Sequence, residues 1–263
     1  MDLGLKNKVI MVAAASRGLG LGIARAAAAD GALLSIASRT RDDIEKAAAD
    51  LRADFGVKAI GCVMNASDPL SIATWTRSTL VEFGRIDGLV VNAGGPPSGK
   101  FDDFEDSDWE DAFQLTLMSA VRMIRNVLPT MQTQKSGSIV TITSSSIKEP
   151  IDVLLLSNVL RSGVVSLVKS LSFDLAADGI RINNLVPGSI DTDRIRQVDE
   201  ARAANLGVSP EKARADGQAS TPPGRYGTTD EFGRAGAFLL SDAASYINGA
   251  TLFVDGGKSR TVW

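Results

Sequence analysis

Three glycines and a serine–arginine pair follow the first apolar run of the chain, in the segment AAASRGLGLG at residues 13–22. This segment joins a run with β-strand character, residues 8–13, to a run of helical period that begins at residue 19. A glycine-rich turn between strand and helix lets backbone N–H groups approach a pyrophosphate, and the helix dipole favours its negative charge. The pattern therefore predicts a dinucleotide-binding turn. The alternative is that the glycines only permit tight packing of the helix against the strand.

The end of the second predicted strand indicates which dinucleotide this turn would take. The strand leads into Ser38, Arg39 and Thr40, where sites that prefer NAD usually carry an acidic residue for the ribose 2′-hydroxyl. Arg39 can instead bind a 2′-phosphate, with Arg17 and the two hydroxyl groups beside it. We therefore expect NADP(H) as the cofactor and NAD(H) as the weaker alternative. The competing interpretation of Arg39 is a solvated arginine at a helix start.

The composition excludes several other kinds of chemistry. The 263 residues include no histidine and a single cysteine, Cys62. This excludes a Ser-His-Asp triad, an imidazole base, a histidine-ligated metal, an intramolecular disulfide and a multi-cysteine metal site. The 28 Lys and Arg residues nearly balance the 31 Asp and Glu residues, for a net charge of −3. Such a balance argues against a nucleic-acid groove or a basic membrane-binding face.

Short apolar runs alternate with longer segments of helical period along the chain. Strands are predicted at residues 8–13, 32–37, 57–63, 88–91, 138–143 and 181–186, and helices at 19–30, 42–55, 69–83, 107–134, 151–178 and 230–240. Runs that are apolar on both faces suit a parallel sheet covered on both sides, and the alternation implies right-handed βαβ units. We predict a single α/β domain over residues 1–263, a Rossmann-type doubly wound parallel sheet between two layers of helices.

Two further expectations concern the surroundings of this sheet. The polar stretch at residues 191–224 is too long for a simple connection and is interpreted as a helical lid or substrate loop.

The N-terminal residues lack the basic start and apolar stretch of a signal peptide, and no apolar run approaches the roughly 20 residues of a membrane span. Together with a free thiol, this predicts a cytoplasmic protein.

Short motifs recur after successive predicted strands. They are the glycine turn at residues 14–20, Asn65-Ala66 with Asp68, VNAG at 91–94, ITS at 142–144, GIRIN at 179–183, PGSIDT at 187–192, Asn248-Gly249, and VDGG at 254–257. In these motifs the chain resembles the short-chain dehydrogenase/reductase family, and within it the 3-oxoacyl-acyl-carrier-protein-reductase-like members, over nearly its whole length. The resemblance also implies a homotetramer or homodimer.

The resemblance further implies a set of cofactor contacts. The pyrophosphate would be cradled by Ala14, Ser16, Arg17, Gly18, Leu19 and Gly20; Asn65 and Ala66 would border the adenine; Asn92, Ala93 and Gly94 would border the adenine-side ribose; and Pro187, Gly188, Ile190 and Thr192 would contact the nicotinamide end. One departure lies in the turn itself, because the family's Thr-Gly opening is Ala-Ala here. The added methyl group would crowd the pyrophosphate slightly, and alanine can hold such a turn if its φ stays negative.

The catalytic positions that the resemblance implies depart further from the family. The serine is present as Ser144, but the family's tyrosine and lysine, thirteen and seventeen residues later, are Ser157 and Arg161. The upstream asparagine position is Thr116. We predict Ser144, Ser157 and Arg161 as the catalytic set, with Arg161 also on the cofactor ribose. A replacement acid from Lys148, Glu149 or Asn158 is a further possibility, and an exposed Lys-Glu pair is the alternative.

Residues 157 and 161 are four apart on one predicted helix, so their side chains face the same place. Arginine keeps a fixed positive charge but stays protonated, so it cannot serve as the proton donor. Serine is a much poorer acid than a phenol, although it can relay a proton through water, and losing a positioned acid typically forfeits about 10²–10⁴ in rate. Ser144 and Arg161 can still stabilise a developing oxyanion.

These residues leave two main hypotheses for function. The first is an NADP-dependent oxidoreductase of the short-chain type, acting on a carbonyl/alcohol pair in a small or acyl-type substrate. The second is a catalytically silent NADP-binding protein, or one with altered chemistry such as a lyase or isomerase step. We predict no metal site, because the acidic residues between positions 101 and 111 are interpreted as a solvated, helix-capping segment.

Overall fold

Seven parallel strands form one sheet in the part of the chain that the computed structural model describes, residues 3–261. They are β1 (Val9–Ala13), β2 (Leu33–Ser38), β3 (Ala59–Val63), β4 (Gly88–Val91), β5 (Gly137–Ile142), β6 (Ile180–Pro187) and β7 (Thr251–Val254). Their order across the sheet is β3-β2-β1-β4-β5-β6-β7. The reversal of strand order beside β1 is the doubly wound arrangement, which opens a crevice at the carboxyl ends of β1 and β4.

Helices cover both faces of the sheet. They are α1 (Gly18–Ala29), α2 (Arg41–Phe55), α3 (Pro69–Phe83), α4 (Asp106–Phe113), α5 (Ser119–Gln134), α6 (Leu155–Asp174), α7 (Asp193–Leu206), α8 (Pro210–Ala219) and α9 (Thr229–Leu240). Helices α1, α2 and α9 pack on one face, in a core that contains Ile23, Ile44 and Phe232. Helices α3, α5 and α6 pack on the other, around Trp75, Ile124 and Val164. The predicted three-layer α/β fold is confirmed.

Strand β1 shows why these runs become central strands. All five of its residues are buried, with Ile10 and Val12 in one core and Met11 and Ala13 in the other. A strand apolar on both faces is stable only between two covered surfaces. Its backbone pairs with β2 on one side and β4 on the other, so its polar groups are satisfied as well.

Several predicted boundaries need correction. The predicted helix at 107–134 is α4 and α5 joined by a π-helical turn at Gln114–Met118, and its start lies at Asp106 behind the cap residue Glu105. The predicted helix at 151–178 begins only at Leu155 and ends at Asp174. Strand β7 was not predicted.

The polar stretch at 191–224 contains α7 and α8, so the expectation of helical structure there is correct. The hydroxyl group of Tyr226 donates a hydrogen bond of 2.7 Å to Asp199 Oδ1 on α7. This bond connects α7 to the segment between α8 and α9. In the described part of the chain, no helix is both long and apolar enough to cross a bilayer. The ends of the predicted domain, including Met1 and Asp2, lie outside the described residues.

Candidate active site

The turn between β1 and α1 presents backbone N–H groups. Helix α1 begins at Gly18, and the side chain of its cap residue Arg17 makes no hydrogen bond to the first turn. Gly18 has a φ of +61°, and a Cβ at Gly20 would lie 2.6 Å from the carbonyl oxygen of Ala14. The turn therefore closes only because these positions lack side chains. Its uncapped N–H groups at a helix N-terminus are suited to an anion.

Gly22 has a different role from the other two glycines. A Cβ at this position would collide with the carbonyl oxygen of Thr229, and one at Gly233 would collide with that of Gly22. These glycines let the backbones of α1 and α9 touch. The packing interpretation of the glycine cluster thus holds for Gly22, whereas Gly18 shapes the turn.

Ala14 does not meet the condition under which alanine holds such a turn without strain. Its φ is +49°, in the left-handed region, rather than negative. The reason is tertiary, since Ala15 must donate its N–H to Ala37 at the end of β2 at 3.0 Å while the chain turns into α1. A non-glycine residue in this region costs roughly 1–2 kcal/mol. The strained conformation of Ala14 persists because the hydrogen bond of Ala15 and the start of α1 together fix the backbone of the turn.

A cavity of about 280 Å³ lies beside this turn at the carboxyl ends of β2 and β3. Its lining includes the predicted residues Ala14, Ser16, Arg17, Ser38, Arg39, Thr40, Asn65, Ala66, Asn92, Ala93 and Gly94. Arg39 is exposed at its rim, and within residues 3–261 its guanidinium pairs with no carboxylate. Asp43, in the first turn of α2, also lines this cavity. The residues predicted to contact the adenosine side therefore line one cavity, and Arg39 is among them without an ion pair in the described part of the chain.

A second cavity of about 420 Å³ shares Ala14, Arg17 and residues 92–95 with the first, so the two form one cleft across the sheet. Its lining includes the remaining predicted residues Gly18, Leu19, Ser144, Ser157, Arg161, Pro187, Gly188, Ile190 and Thr192. Gly20 alone among the predicted contacts lines neither cavity, because it lies behind the turn against Ala14. Gly95 and Pro96 form part of the wall.

Ser157 and Arg161 meet inside this second cavity. Arg161 donates from Nε to Ser157 Oγ at 3.2 Å and from Nη1 to the carbonyl oxygen of Ile142 at 3.0 Å. No carboxylate pairs with Arg161 in the described part of the chain. Burial, and to a lesser extent the charge of Arg194, lowers the pKa of Arg161 to about 10. The guanidinium is therefore still a cation at neutral pH, but one without a counter-charge.

Two serine hydroxyls are free to donate in the same cavity. Ser157 Oγ accepts from Arg161, so its own proton is available, and this side chain is only 8 % exposed. Ser144 Oγ accepts the N–H of Ser146 at 3.2 Å and likewise keeps its proton. A hydroxyl has one donor and two acceptor sites, so both groups can bind a substrate oxygen.

Thr116 is a buried residue on the π-helical turn and borders a small space that Arg161 also lines. Its Oγ1 is buried and has no hydrogen-bond partner among residues 3–261. Together with Asn92, Ser119 and Arg161 it borders a space of about 10 Å³, which is room for no more than one water molecule. The residue at the family's asparagine position is therefore in contact with the site, although it offers only a hydroxyl.

None of the three candidate replacement acids is placed to act. Lys148 and Glu149 are exposed; Lys148 lines a different cavity with Asp255, and Glu149 accepts the N–H of Arg260 at 2.8 Å. Asn158 uses its amide on the backbone of Ile151, at 3.0 and 3.4 Å. The interpretation of an exposed Lys-Glu pair is the correct one.

Two carboxylates of the acidic segment act as helix caps. Asp103 accepts the N–H of Lys100 at 2.7 Å, and Asp108 accepts that of Glu105 at 2.9 Å. These carboxylates satisfy the free donors of a 3₁₀ turn and of α4.

Sequence reasoning missed Arg194, which also lines the second cavity. Arg194 lies in the polar stretch at 191–224, where no local pattern indicates which side chain faces the sheet.

The doubly wound sheet and the cleft at its carboxyl edge are the arrangement of a Rossmann-type dinucleotide-binding fold. Residues 13–259 match the family model described as enoyl-(acyl carrier protein) reductase. The chain belongs to the short-chain dehydrogenase/reductase family, among its 3-oxoacyl-acyl-carrier-protein-reductase-like members.

Curated relatives and solved structures agree with this placement. The chain is 33 % identical over 263 residues to 3-oxoacyl-acyl-carrier-protein reductase FabG of Escherichia coli, covering 97 % of this chain and 98 % of that protein. L-sorbose reductase from Gluconobacter frateurii, solved with NADPH and L-sorbose, is 28 % identical with a TM-score of 0.95, and all of both chains is covered. A variant of actinorhodin polyketide ketoreductase with NADPH is 28 % identical with a TM-score of 0.92, covering 97 % of this chain and 98 % of that one.

Proposed function

We propose that this protein is an NADPH-dependent reductase that converts a carbonyl to an alcohol in a small or acyl-type substrate, using Ser144, Ser157 and Arg161. One observation carries the proposal. The bonded pair of Ser157 and Arg161 and the free hydroxyl of Ser144 line one cavity, and that cavity is continuous with the dinucleotide cleft. The NADPH bound to the two structural relatives supports the choice of cofactor.

The residues present fit NADPH. The uncapped N–H groups at the start of α1 would hold its pyrophosphate, and Arg39 with Arg17 would hold the 2′-phosphate. Ile190 and Thr192 would hold the nicotinamide end, below the predicted lid of α7 and α8. When bound there, the cofactor supplies the hydride that adds to the carbonyl carbon.

The chain's own groups act on the carbonyl oxygen. Ser144 and Ser157 donate hydrogen bonds to this oxygen. Arg161 is hydrogen-bonded to Ser157 Oγ, so its positive charge polarises the Ser157 hydroxyl group and stabilises the negative charge that develops on the oxygen. The oxygen takes the proton of Ser157, and a water molecule returns a proton to Ser157. Carbonyl, hydride and one proton thus balance as an alcohol. Arg161 holds its proton throughout.

Exposed apolar groups on α6 support a homodimer or homotetramer as part of the proposal. Val159 is 48 % exposed and Phe173 is 71 % exposed on the outer side of this helix. A second copy of the chain would cover them.

The free thiol of Cys62 supports the cytoplasm as the location of this protein, because thiols stay reduced there.

A panel of ketones, aldehydes and alcohols, followed by NADPH absorbance, tests the proposal. Ser157→Ala and Arg161→Met should lower kcat by about 10²-fold or more, while Ser170→Ala, an exposed serine on the same helix, should leave it unchanged. NADPH binding without turnover of any carbonyl or alcohol would instead support the silent NADP-binding protein. Turnover that survives both variants would overturn the catalytic set.

A further inference from the structure

The second cavity carries more positive charge than its carboxylates can balance. Its charged lining residues are Arg17, Arg161, Asp193 and Arg194. Asp193 is already shared, because Oδ2 lies 3.5 Å from Arg17 and Oδ1 lies 2.9 Å from Arg196 on the outer side of α7. One carboxylate therefore serves two arginines, and neither of them is Arg161 or Arg194.

Arg161 and Arg194 have no counter-charge of their own. Among residues 3–261, Arg161 bonds only to Ser157 and to backbone carbonyl groups. The guanidinium of Arg194, in the first turn of α7, makes no ion pair or hydrogen bond within residues 3–261. The two lie close enough that the charge of Arg194 depresses the pKa of Arg161. Like charges around one small cavity repel each other unless an anion lies between them.

The cofactor already has other partners for its phosphates. The N–H groups at the start of α1 and the side chain of Arg17 lie on the turn after β1. Arg194 instead enters from α7, on the segment that covers the cavity, and shares the lining with Leu154 and Ser157. Arg194 is exposed to solvent on its outer side, and it lines the same cavity as the hydroxyl groups of Ser144 and Ser157.

We propose that Arg194 selects a substrate whose carbonyl group is accompanied by a carboxylate, so that the second cavity takes small oxo acids in preference to neutral carbonyl compounds. This inference rests on the proposed reductase function. Arg194 would bind the carboxylate while Ser144, Ser157 and Arg161 hold the carbonyl oxygen. A guanidinium suits a carboxylate because its N–H groups match both oxygens. The second cavity measures about 420 Å³ in all and also takes the nicotinamide end in the proposed function, so only part of it is left, for a small substrate.

The kinetic test compares acids with their neutral analogues. Acetoacetate and levulinate are assayed against their ethyl and methyl esters, with the wild-type protein, Arg194→Gln, Arg194→Lys and Arg196→Gln. We expect Arg194→Gln to lower kcat/KM for the acids by about tenfold to a hundredfold, as the loss of a charge-assisted hydrogen bond implies. The esters should change little. Arg194→Lys should keep part of the preference, and Arg196→Gln, which removes a charge from the same helix outside the cavity, should keep all of it.

A binding test decides the question without turnover. Melting temperatures are measured with saturating NADP⁺ and either 3-hydroxybutyrate or its methyl ester. The acid should stabilise the wild-type protein more than the ester, and Arg194→Gln should abolish that difference. Equal stabilisation by acid and ester in the wild-type protein would overturn the inference. So would a loss of NADPH affinity in Arg194→Gln that affects acids and esters alike, because Arg194 would then bind the cofactor. Selective acid binding without reduction of any carbonyl would instead contradict the proposed reductase.

Discussion

Arg161 and Ser157 lie one turn apart on α6 and are joined by a hydrogen bond of 3.2 Å from the guanidinium Nε to the hydroxyl oxygen. The bond turns the hydroxyl proton away from the arginine and toward the cavity. It also fixes a cation behind an oxygen that is a weak acid by itself. In the proposed reaction this pair therefore stabilises the negative charge on the substrate oxygen, and water replaces the proton that Ser157 gives up.

The first prediction concerns pH. Because the pKa of Arg161 is lowered to about 10, the cation is present throughout the neutral range and is lost as the pH rises through about 10. We expect kcat to be flat near neutrality and to fall above about pH 9.5. In Arg161→Lys the fall should begin at lower pH, because the ordinary pKa of lysine is about two units below that of arginine. Coincident profiles for the two proteins would show that this residue does not control the step.

The second prediction concerns cofactor choice. Arg39→Asp should weaken NADPH binding by about tenfold to a hundredfold, because a charge-assisted contact is replaced by repulsion. At a NADPH concentration a hundredfold above its Kd, the wild-type protein should gain about 2.7 kcal/mol of stability, and this gain should shrink in the variant. Fluorescence titration with NADPH and NADH measures both affinities. The control is Arg41→Gln, which removes an arginine that is paired with Glu45 on the surface of α2. An unchanged ratio of the two affinities would exclude Arg39 as the 2′-phosphate contact.

The third prediction concerns the left-handed residue of the turn. Ala14→Gly should raise the free energy of unfolding by roughly 0.5–1 kcal/mol, because glycine accepts a φ of +49° without steric cost. Ala15 is the matched control, since it is fully buried and does not have a positive φ. Ala15→Gly should destabilise the protein. Urea denaturation compares the three proteins, and a destabilised Ala14→Gly would contradict the strain at this position.

The fourth prediction concerns the attachment of α7. Tyr226→Phe removes the 2.7 Å hydrogen bond to the buried carboxylate of Asp199, whose Oδ2 lies 3.7 Å from Arg214. We expect a loss of about 1–3 kcal/mol in stability and a rise in KM, because α7 carries residues of the second cavity. Tyr246, which is fully exposed, provides the control variant Tyr246→Phe. A loss of stability with no change in KM would separate the helix from substrate binding.

The local signals were sufficient for most of the framework. Runs such as β1, apolar on both faces, specify central strands, and Asp68 caps α3 through Leu70 with Pro69 in the first turn, as their types predict. Strand β7 was not predicted because it lies at the sheet edge, where Leu252 is exposed and the other three residues are only partly buried. An edge strand needs no run that is apolar on both faces.

The remaining departures come from contacts distant in sequence. Residues 151–154 look helical, but Val153 has a φ of +56° and its carbonyl oxygen accepts the N–H of Gly99 at 2.7 Å. That loop-to-loop bond outweighs helix propensity and delays the start of α6. No local sequence pattern indicates that Arg194 belongs to the site. It shares a cavity with Arg161 only because α7 folds against the rest of the protein.

The contact between α1 and α9 has a consequence for the phosphate-binding turn. Gly22 and Gly233 bring two backbones together with no side chain between them, so neither helix can rotate or slide independently of the other. The direction of the amides at the start of α1 is thus held by a helix near the far end of the sequence. A fragment that ended before α9 would retain every residue of the glycine motif. It would lack the helix that holds the N–H groups of that motif in their direction.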